Sequence, residues 1–369
     1  MIRVLRNTEN PEKSGGAGGI PGTVQADGNR RGILTGIANV IKLTHLTEKD
    51  RVLIITDRKT EGLARMLEKD VQKRWPEGIK LILMEEYGSR PMTALPEKML
   101  EEIKSFRPTL SYFIGTGLEG ELGFRKPMRE ALMQLGARHA HMIGFDESIA
   151  GGEAMCADYD KIYEITHKVH EIVKDAKKIR VTHANGTDIT VDLDPEKRSW
   201  KISDGVIDKQ GMFHNLPDGE VFTAPMSVNG FYATNSLGDH FSARHGILKQ
   251  PLTVRIENNR AVGISCKDPV IEAEVAEYLG LNGHRRENAD MVGEFAIGTN
   301  IFITYLIGNM LSDEKAVGVH IAFGSAYPET FRQGKPWDVY GNQHCDMVLQ
   351  GCTVQVDGRT IMEDGKFII

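Results

Sequence analysis

At 369 residues the chain is long enough to bury two hydrophobic cores, and its 40% apolar and 26% charged residues are the ordinary balance of a water-soluble globular protein. Its 45 basic and 51 acidic side chains leave a formal charge of -6, which argues against general affinity for nucleic acid or an anionic membrane. No run of about 18 apolar residues occurs, so no segment reads as a bilayer span.

Residues 1–30 read as a Gly-rich N-terminal arm, with Pro11, Gly15, Gly16, Gly18, Gly19, Pro21 and Gly22 and few large apolar groups. This polar run stands where an export signal would need an apolar core. The four cysteines (Cys156, Cys266, Cys345 and Cys352) are too few for a disulfide scaffold and form no Cys-x-x-Cys pair. Both points favour a reducing cytoplasm.

From Arg31 the pattern becomes regular. Ile33, Ile37, Val40, Ile41 and Leu43 have helical spacing, and Val52–Ile55 is a short buried-strand run. Helical stretches at 59–74, 95–106 and 127–136 precede strands at 79–84, 110–114 and 142–143. This alternation predicts βαβ units and a parallel sheet, so residues 31–178 are expected to form an α/β domain. Gly115-Thr116-Gly117-Leu118-Glu119-Gly120 has the spelling of a dinucleotide-binding turn. It follows the third strand rather than the first, and leads into a polar, loop-like Glu121–Lys126. It reads as a strand-end turn, and no cofactor-binding residue is assigned. An amphipathic helix over 158–177 closes this half; its His167 and His170 read as surface or partly buried polar groups.

After Lys178 the period changes from helix to strand. Asn185-Gly186 between alternating runs marks a hairpin, and Asn258-Asn259 another. With helices predicted near 268–280 and 299–310, residues 179–369 are expected to form an α+β domain. His240 and His245 fall in a polar surface loop.

The chemistry concentrates in this second half. On a strand, residues two apart share a face, so His344 and Asp346 can offer an imidazole nitrogen and a carboxylate oxygen to one point while Cys345 faces away. His320 lies in the apolar run Val317–Gly324, where an unpaired imidazole would cost about 1–3 kcal/mol. Tyr327 follows past Gly324, where the chain can turn back. A phenol beside a divalent cation can ionise and serve as an oxygen ligand. Glu220 is delivered onto an apolar run by a Pro-Asp-Gly turn, and Glu294 stands among glycines and apolar residues. Together these side chains suit two divalent cations sharing oxygen ligands.

The strings NLPDGEVFTAP, GEFAIGTN, DEKAVGVHIAFGSAY and HCD, in this order, resemble the thermophilic metallo-aminopeptidase family of the aminopeptidase T and aminopeptidase S type. The resemblance covers mainly residues 178–369. It implies the metal ligands Glu220, Glu294, His320, Tyr327, His344 and Asp346, and two divalent ions per chain (zinc, cobalt or manganese) with a bridging water. The activity implied is removal of the N-terminal residue from small peptides, by a homodimer. Glu294 is the candidate general base, with Glu329 as an alternative. The stretch between Tyr327 and His344, with Arg332, Lys335 and Trp337, departs from the family pattern and bears on substrate preference. A rival reading is a dihydroxypyridine ring-cleaving dioxygenase, with one ferrous ion on His320, His344 and Asp346. Such an enzyme has no need of both Glu220 and Glu294, which favours hydrolysis.

Overall fold

The computed structural model describes residues 21–74, 78–238, 240–283, 288–332 and 343–369. Most of the expected arm, residues 1–20, lies outside the described residues, as do Lys335 and Trp337. The arm does not extend to residue 30: helix α1 spans Pro21–Leu43. It buries Ile33, Ile37, Val40, Ile41 and Leu43. Then come β1 (Val52–Thr56), α2 (Glu61–Gln72), β2 (Ile79–Leu83), α3 (Glu97–Phe106), β3 (Leu110–Gly115), α4 (Leu122–Gln134) and β4 (Arg138–Ile143). α5 (Glu147–Ala150) and α6 (Tyr159–Val173) complete this half. Gly36 has a packing reason, since a Cβ there would stand 1.9 Å from the Ala150 carbonyl oxygen.

β1–β4 are parallel in the order β2-β1-β3-β4, as the βαβ pattern predicts. Alternate residues feed opposite faces. Val52 and Ile54 join α1 and α2 in one core, whereas Leu53 and Ile55 join α3 and α4 in another. α4 begins five residues earlier than predicted, so Leu122–Lys126 is helix rather than loop. The Glu121 side chain just ahead of it accepts the Leu118 and Met92 amides rather than capping the helix.

The second half is built from antiparallel strands. β5 (Lys178–Thr182), β6 (Asp188–Asp192), β7 (Lys201–Ser203), β8 (Phe213–Asn215), β9 (Glu220–Thr223), β10 (Ser227–Thr234) and β11 (Ser236–Leu237) come first. α7 (His240–His245), β12 (Leu252–Glu257), β13 (Arg260–Ser265), α8 (Pro269–Tyr278), β14 (Val292–Gly298), α9 (Met310–Asp313) and β15 (Gly318–Gly324) follow. The chain ends in β16 (His344–Gln350), β17 (Thr353–Val356), β18 (Arg359–Glu363) and β19 (Lys366–Phe367). Both predicted hairpins form: Gly186 has φ +100°, and Asn258 and Asn259 have φ +50° and +68°.

These strands make an eight-stranded sheet, β13-β12-β10-β6-β5-β17-β18-β19, and a six-stranded sheet, β11-β16-β15-β14-β9-β7. Their facing sides share one core with the second half of α6. β8 leaves this arrangement and pairs parallel with β4 at the edge of the first sheet. The helix predicted at 299–310 does not form; only Met310–Asp313 is helical. Local polar bonds compete successfully for the backbone: Asn300 accepts the Phe302 amide, Glu153 the Thr304 amide, and Asp313 those of Ile307 and Gly308.

At the carboxyl ends of β1 and β3, the partly buried Arg90 pairs with Asp57 at 2.8 Å and, bidentately, with Glu121. The Thr116 amide and hydroxyl donate to Asp57 at 2.7 and 2.6 Å, so the Gly115–Gly120 turn directs donors at the chain's own acids. Burial pushes the Asp57 and Glu121 carboxyls up, but Arg90 and these hydrogen bonds outweigh it and hold both below the carboxylate range. Because both folded-state values lie below the unfolded ones, their stabilisation is present above about pH 4 and is lost as pH falls further. Arg90→Met strands two buried carboxylates and is expected to cost about 3–5 kcal/mol in urea unfolding at pH 7. The deficit should shrink when the unfolding is repeated near pH 3; a deficit independent of pH would contradict the charge account.

Candidate metal centre

The register of four strands assembles the site. Residues directly opposite in antiparallel pairs share a face. Glu220 of β9 pairs with Gly298 of β14; Glu294 pairs with Ala322 of β15, and Ala322 with Asp346 of β16. His320 lies between Ala296 and Val348, and His344 opposes Gly324. One face of the six-stranded sheet therefore carries Glu220, Glu294, His320, His344 and Asp346, separated mainly by Ala and Gly. The other face, with Val221, Phe295, Ile297, Val319, Ile321, Phe323, Cys345, Met347 and Leu349, belongs to the core.

A bulge at Gly293 shifts the β14–β15 register just ahead of Glu294. Bulges re-aim side chains beside sites. Only glycine fits here, because a Cβ would lie 2.5 Å from the Gly324 carbonyl oxygen and 2.7 Å from that of Ser325.

The donor atoms of Glu220, Glu294 and His320 lie within 4.8 Å of one another, and so do those of Glu294, His344 and Asp346. Glu294 belongs to both groups. Its Oε1 is 3.7 Å from His320 Nε2, and its Oε2 is 3.2 Å from His344 Nε2. His320 Nε2 also stands 3.6 Å from Glu220 Oε2, and His344 Nε2 3.3 Å from Asp346 Oδ1. With ligand bonds of about 2.0–2.2 Å, neighbouring donors around one ion stand roughly 3–3.6 Å apart, so these spacings fit cations. The buried Oε2 of Glu220 has no hydrogen-bond partner, which a cation would remedy. His344 Nδ1 donates to the Ser325 carbonyl at 3.0 Å, orienting the ring with Nε2 toward the carboxylates. Tyr327, brought back by the turn at Gly324 (φ +109°), packs edge-on against His344 with centroids 5.5 Å apart.

Burial pushes Glu220 up to about 8, against the opposing charges of Lys315 and His320. Burial also raises the Tyr327 phenol well above its ordinary value. Glu294 and Asp346 are held low despite burial, because imidazoles donate to them. The same contacts outweigh burial at the histidines, raising His320 to about 9 and His344 well above its ordinary value. Both rings thus carry protons that a cation must displace.

Sequence reading overlooked Lys315, Glu314 and Asp218. Lys315 is 1% exposed, and its Nζ lies 2.6 Å from Glu220 Oε1, 2.7 Å from Glu314 Oε1 and 3.7 Å from Asp218 Oδ1. Three carboxylates hold it protonated in spite of burial. Asp218 accepts from Ser203 at 2.7 Å and the Gly205 amide at 3.0 Å, and its Oδ2 is 3.2 Å from His214 Nδ1 of β8. The available signal was the charged triplet Asp313-Glu314-Lys315 placed directly ahead of an apolar strand.

His167 and His245 pair with other acids. His167 meets Asp204 at 3.0 Å, and His245 meets Glu274 at 2.7 Å. His240–His245 is helix α7 rather than loop. Glu329 is exposed on a short turn.

Residues 144–360 match the model of the thermophilic metalloprotease family (M29). No curated protein matches the chain in sequence. The structure resembles wild-type AmpT from Thermus thermophilus, with a TM-score of 0.69 and 19% identity over 92% of this chain and 100% of that one. It also resembles a 2,5-dihydroxypyridine dioxygenase from Pseudomonas putida KT2440, with a TM-score of 0.65 and 15% identity over 92% of this chain and 97% of that one.

Gly293→Val should displace Glu294 and weaken uptake of divalent cations by at least about tenfold, with about 1–3 kcal/mol lost from folding. Calorimetric titration of the folded variant with zinc checks this; affinity equal to that of the parent would show that the bulge does not aim Glu294.

Proposed function

We propose, given that this chain belongs to the thermophilic metalloprotease family (M29) and is thus a metal-dependent peptide hydrolase, that it is an aminopeptidase acting on small peptides through two divalent cations. The observation carrying this reading is Glu294, whose two oxygens enter two separate donor groups. One cation would be held by Glu220, Glu294 and His320, the other by Glu294, His344 and Asp346 with Tyr327 beside them. Charge agrees: Asp218, Glu220, Glu294, Glu314 and Asp346 against Lys315 leave four uncompensated negative charges once the imidazoles are neutral, a match for two divalent ions.

Such ions supply polarisation of a scissile carbonyl and a water acidified toward neutrality. The chain contributes the rest. Ala296 and Ala322 put only methyl groups on the face between the donors. Exposure of the His344 side chain, 27% against 2% for His320, supports an entrance on that side. Of the two roles suggested for Glu294, bridging suits its engaged oxygens better than proton transfer. The proton is better received by Glu314, which stands outside both donor groups, is 13% exposed, and is raised by burial. Two imidazoles among oxygen donors suit zinc, cobalt or manganese.

The ferrous dioxygenase reading needs His320, His344 and Asp346 around one point. Asp346 Oδ1 stands 3.3 Å from His344 Nε2 but 3.9 Å from His320 Nε2, and the donor group that contains His320 is completed by Glu220 and Glu294. A cytoplasmic setting is supported by four free cysteines, and a homodimer by the family resemblance alone. Among the described residues no helix is long and apolar enough to cross a membrane. Within this reading residues 31–178 act as a supporting domain and 179–369 carry the centre.

Elemental mass spectrometry of protein purified without chelator should find close to two zinc, cobalt or manganese ions per chain, with unblocked peptides trimmed from the N-terminus. Glu294→Ala should lose both ions, and Glu220→Ala only one. Close to one iron per chain would sink the two-ion reading. Glu314→Gln should keep both ions while kcat falls roughly 10²–10⁴-fold with KM little changed. An unchanged kcat would remove Glu314 from proton transfer.

A further inference from the structure

Lys315 is unusual among the charges around the site, being a cation placed where cations are to bind. It cannot swing away, because it is 1% exposed and fixed from two further sides by Glu314 at 2.7 Å and Asp218 at 3.7 Å. Asp218 is itself held by Ser203, His214 and two backbone amides. The ammonium occupies Oε1 of Glu220 at 2.6 Å and leaves only Oε2, the buried oxygen without a partner, to face His320. The second donor group has no such competitor: the ion pairs of Asp346 among the described residues are with His320 and His344 alone. His344 is pre-oriented there by the Ser325 carbonyl.

We infer that the two cation positions are unequal and that Lys315 is the positioning residue that makes them so. It limits Glu220 to a single oxygen and sets a fixed positive charge beside the Glu220, Glu294 and His320 position. That position is held more weakly than the one at Glu294, His344 and Asp346. The inference rests on the two-ion reading above. Electrostatic repulsion at short range in a poorly screened interior is strong enough to separate the two affinities by tenfold or more.

The test loads the full chain with zinc, equilibrates it against graded chelator at constant pH, and counts bound zinc by elemental mass spectrometry. Release in two steps with apparent affinities at least about tenfold apart is expected. Glu220→Gln should abolish the weaker step and keep the tighter one, and Asp346→Asn should do the reverse. Lys315→Met should strengthen the weaker step by about tenfold, while Lys315→Arg, which keeps the charge, should leave two separated steps. Two ions leaving in a single step, loss of the tighter step in Glu220→Gln, or a weaker step unmoved in folded Lys315→Met would each overturn the inference while leaving the two-ion centre standing. A total of one ion in the parent protein would overturn both.

Discussion

Everything at the centre depends on strand register. Donors on β9, β14, β15 and β16 converge only because the four strands are paired so that Glu220, Glu294, His320, His344 and Asp346 fall on the same side of the pleat. A slip of one residue on any strand would send its donor into the apolar core and an apolar neighbour onto the ligand face. The core on the other side enforces the pairing, since burying Phe295, Ile321, Phe323 and Met347 is favourable only in this register. Hydrophobic burial on one face thereby aligns the candidate donors on the other.

The second theme is concentrated charge. Five carboxylates, two imidazoles and a lysine share a largely buried volume, an arrangement that costs heavily unless the charges are mutually compensated. Without cations the histidines take up protons and Glu220 is driven toward its neutral form. Under the proposed function, loading the site would exchange protons for metal and link folding, ionisation and ligation in one equilibrium. The Arg90 cluster in the first sheet is the opposite case. There one guanidinium already bonds two carboxylates, and the Thr116 hydroxyl satisfies Asp57 as well.

Much of this was legible beforehand, for identifiable reasons. The parallel sheet followed from helices and strands alternating at regular spacing, and both hairpins from asparagine turns that tolerate positive φ. The site residues were suggested by polar groups embedded in apolar strands, since such placements demand partners. What escaped notice depended on tertiary contacts. The Gly293 bulge needs the neighbouring strand to be seen, as does the role of Lys315, which in sequence is merely one member of a charged triplet. The stretch 299–309 has helix-like apolar spacing, yet its backbone is claimed by Glu153, Asn300 and Asp313. β8 is three residues long and carries no pattern that would assign it to the first sheet.

That short strand has a mechanical consequence. Between Lys201 and Thr223 the chain leaves the ligand sheet at β7, crosses to lie against β4 as β8, and returns as β9, which begins with Glu220. On the way back Asp218 grips His214 and reaches toward Lys315. The two halves are thus laced together by an out-and-back stitch whose returning thread carries Glu220. A molecule stitched in this way cannot open like a book about the connection at residue 178 without dragging Glu220 along.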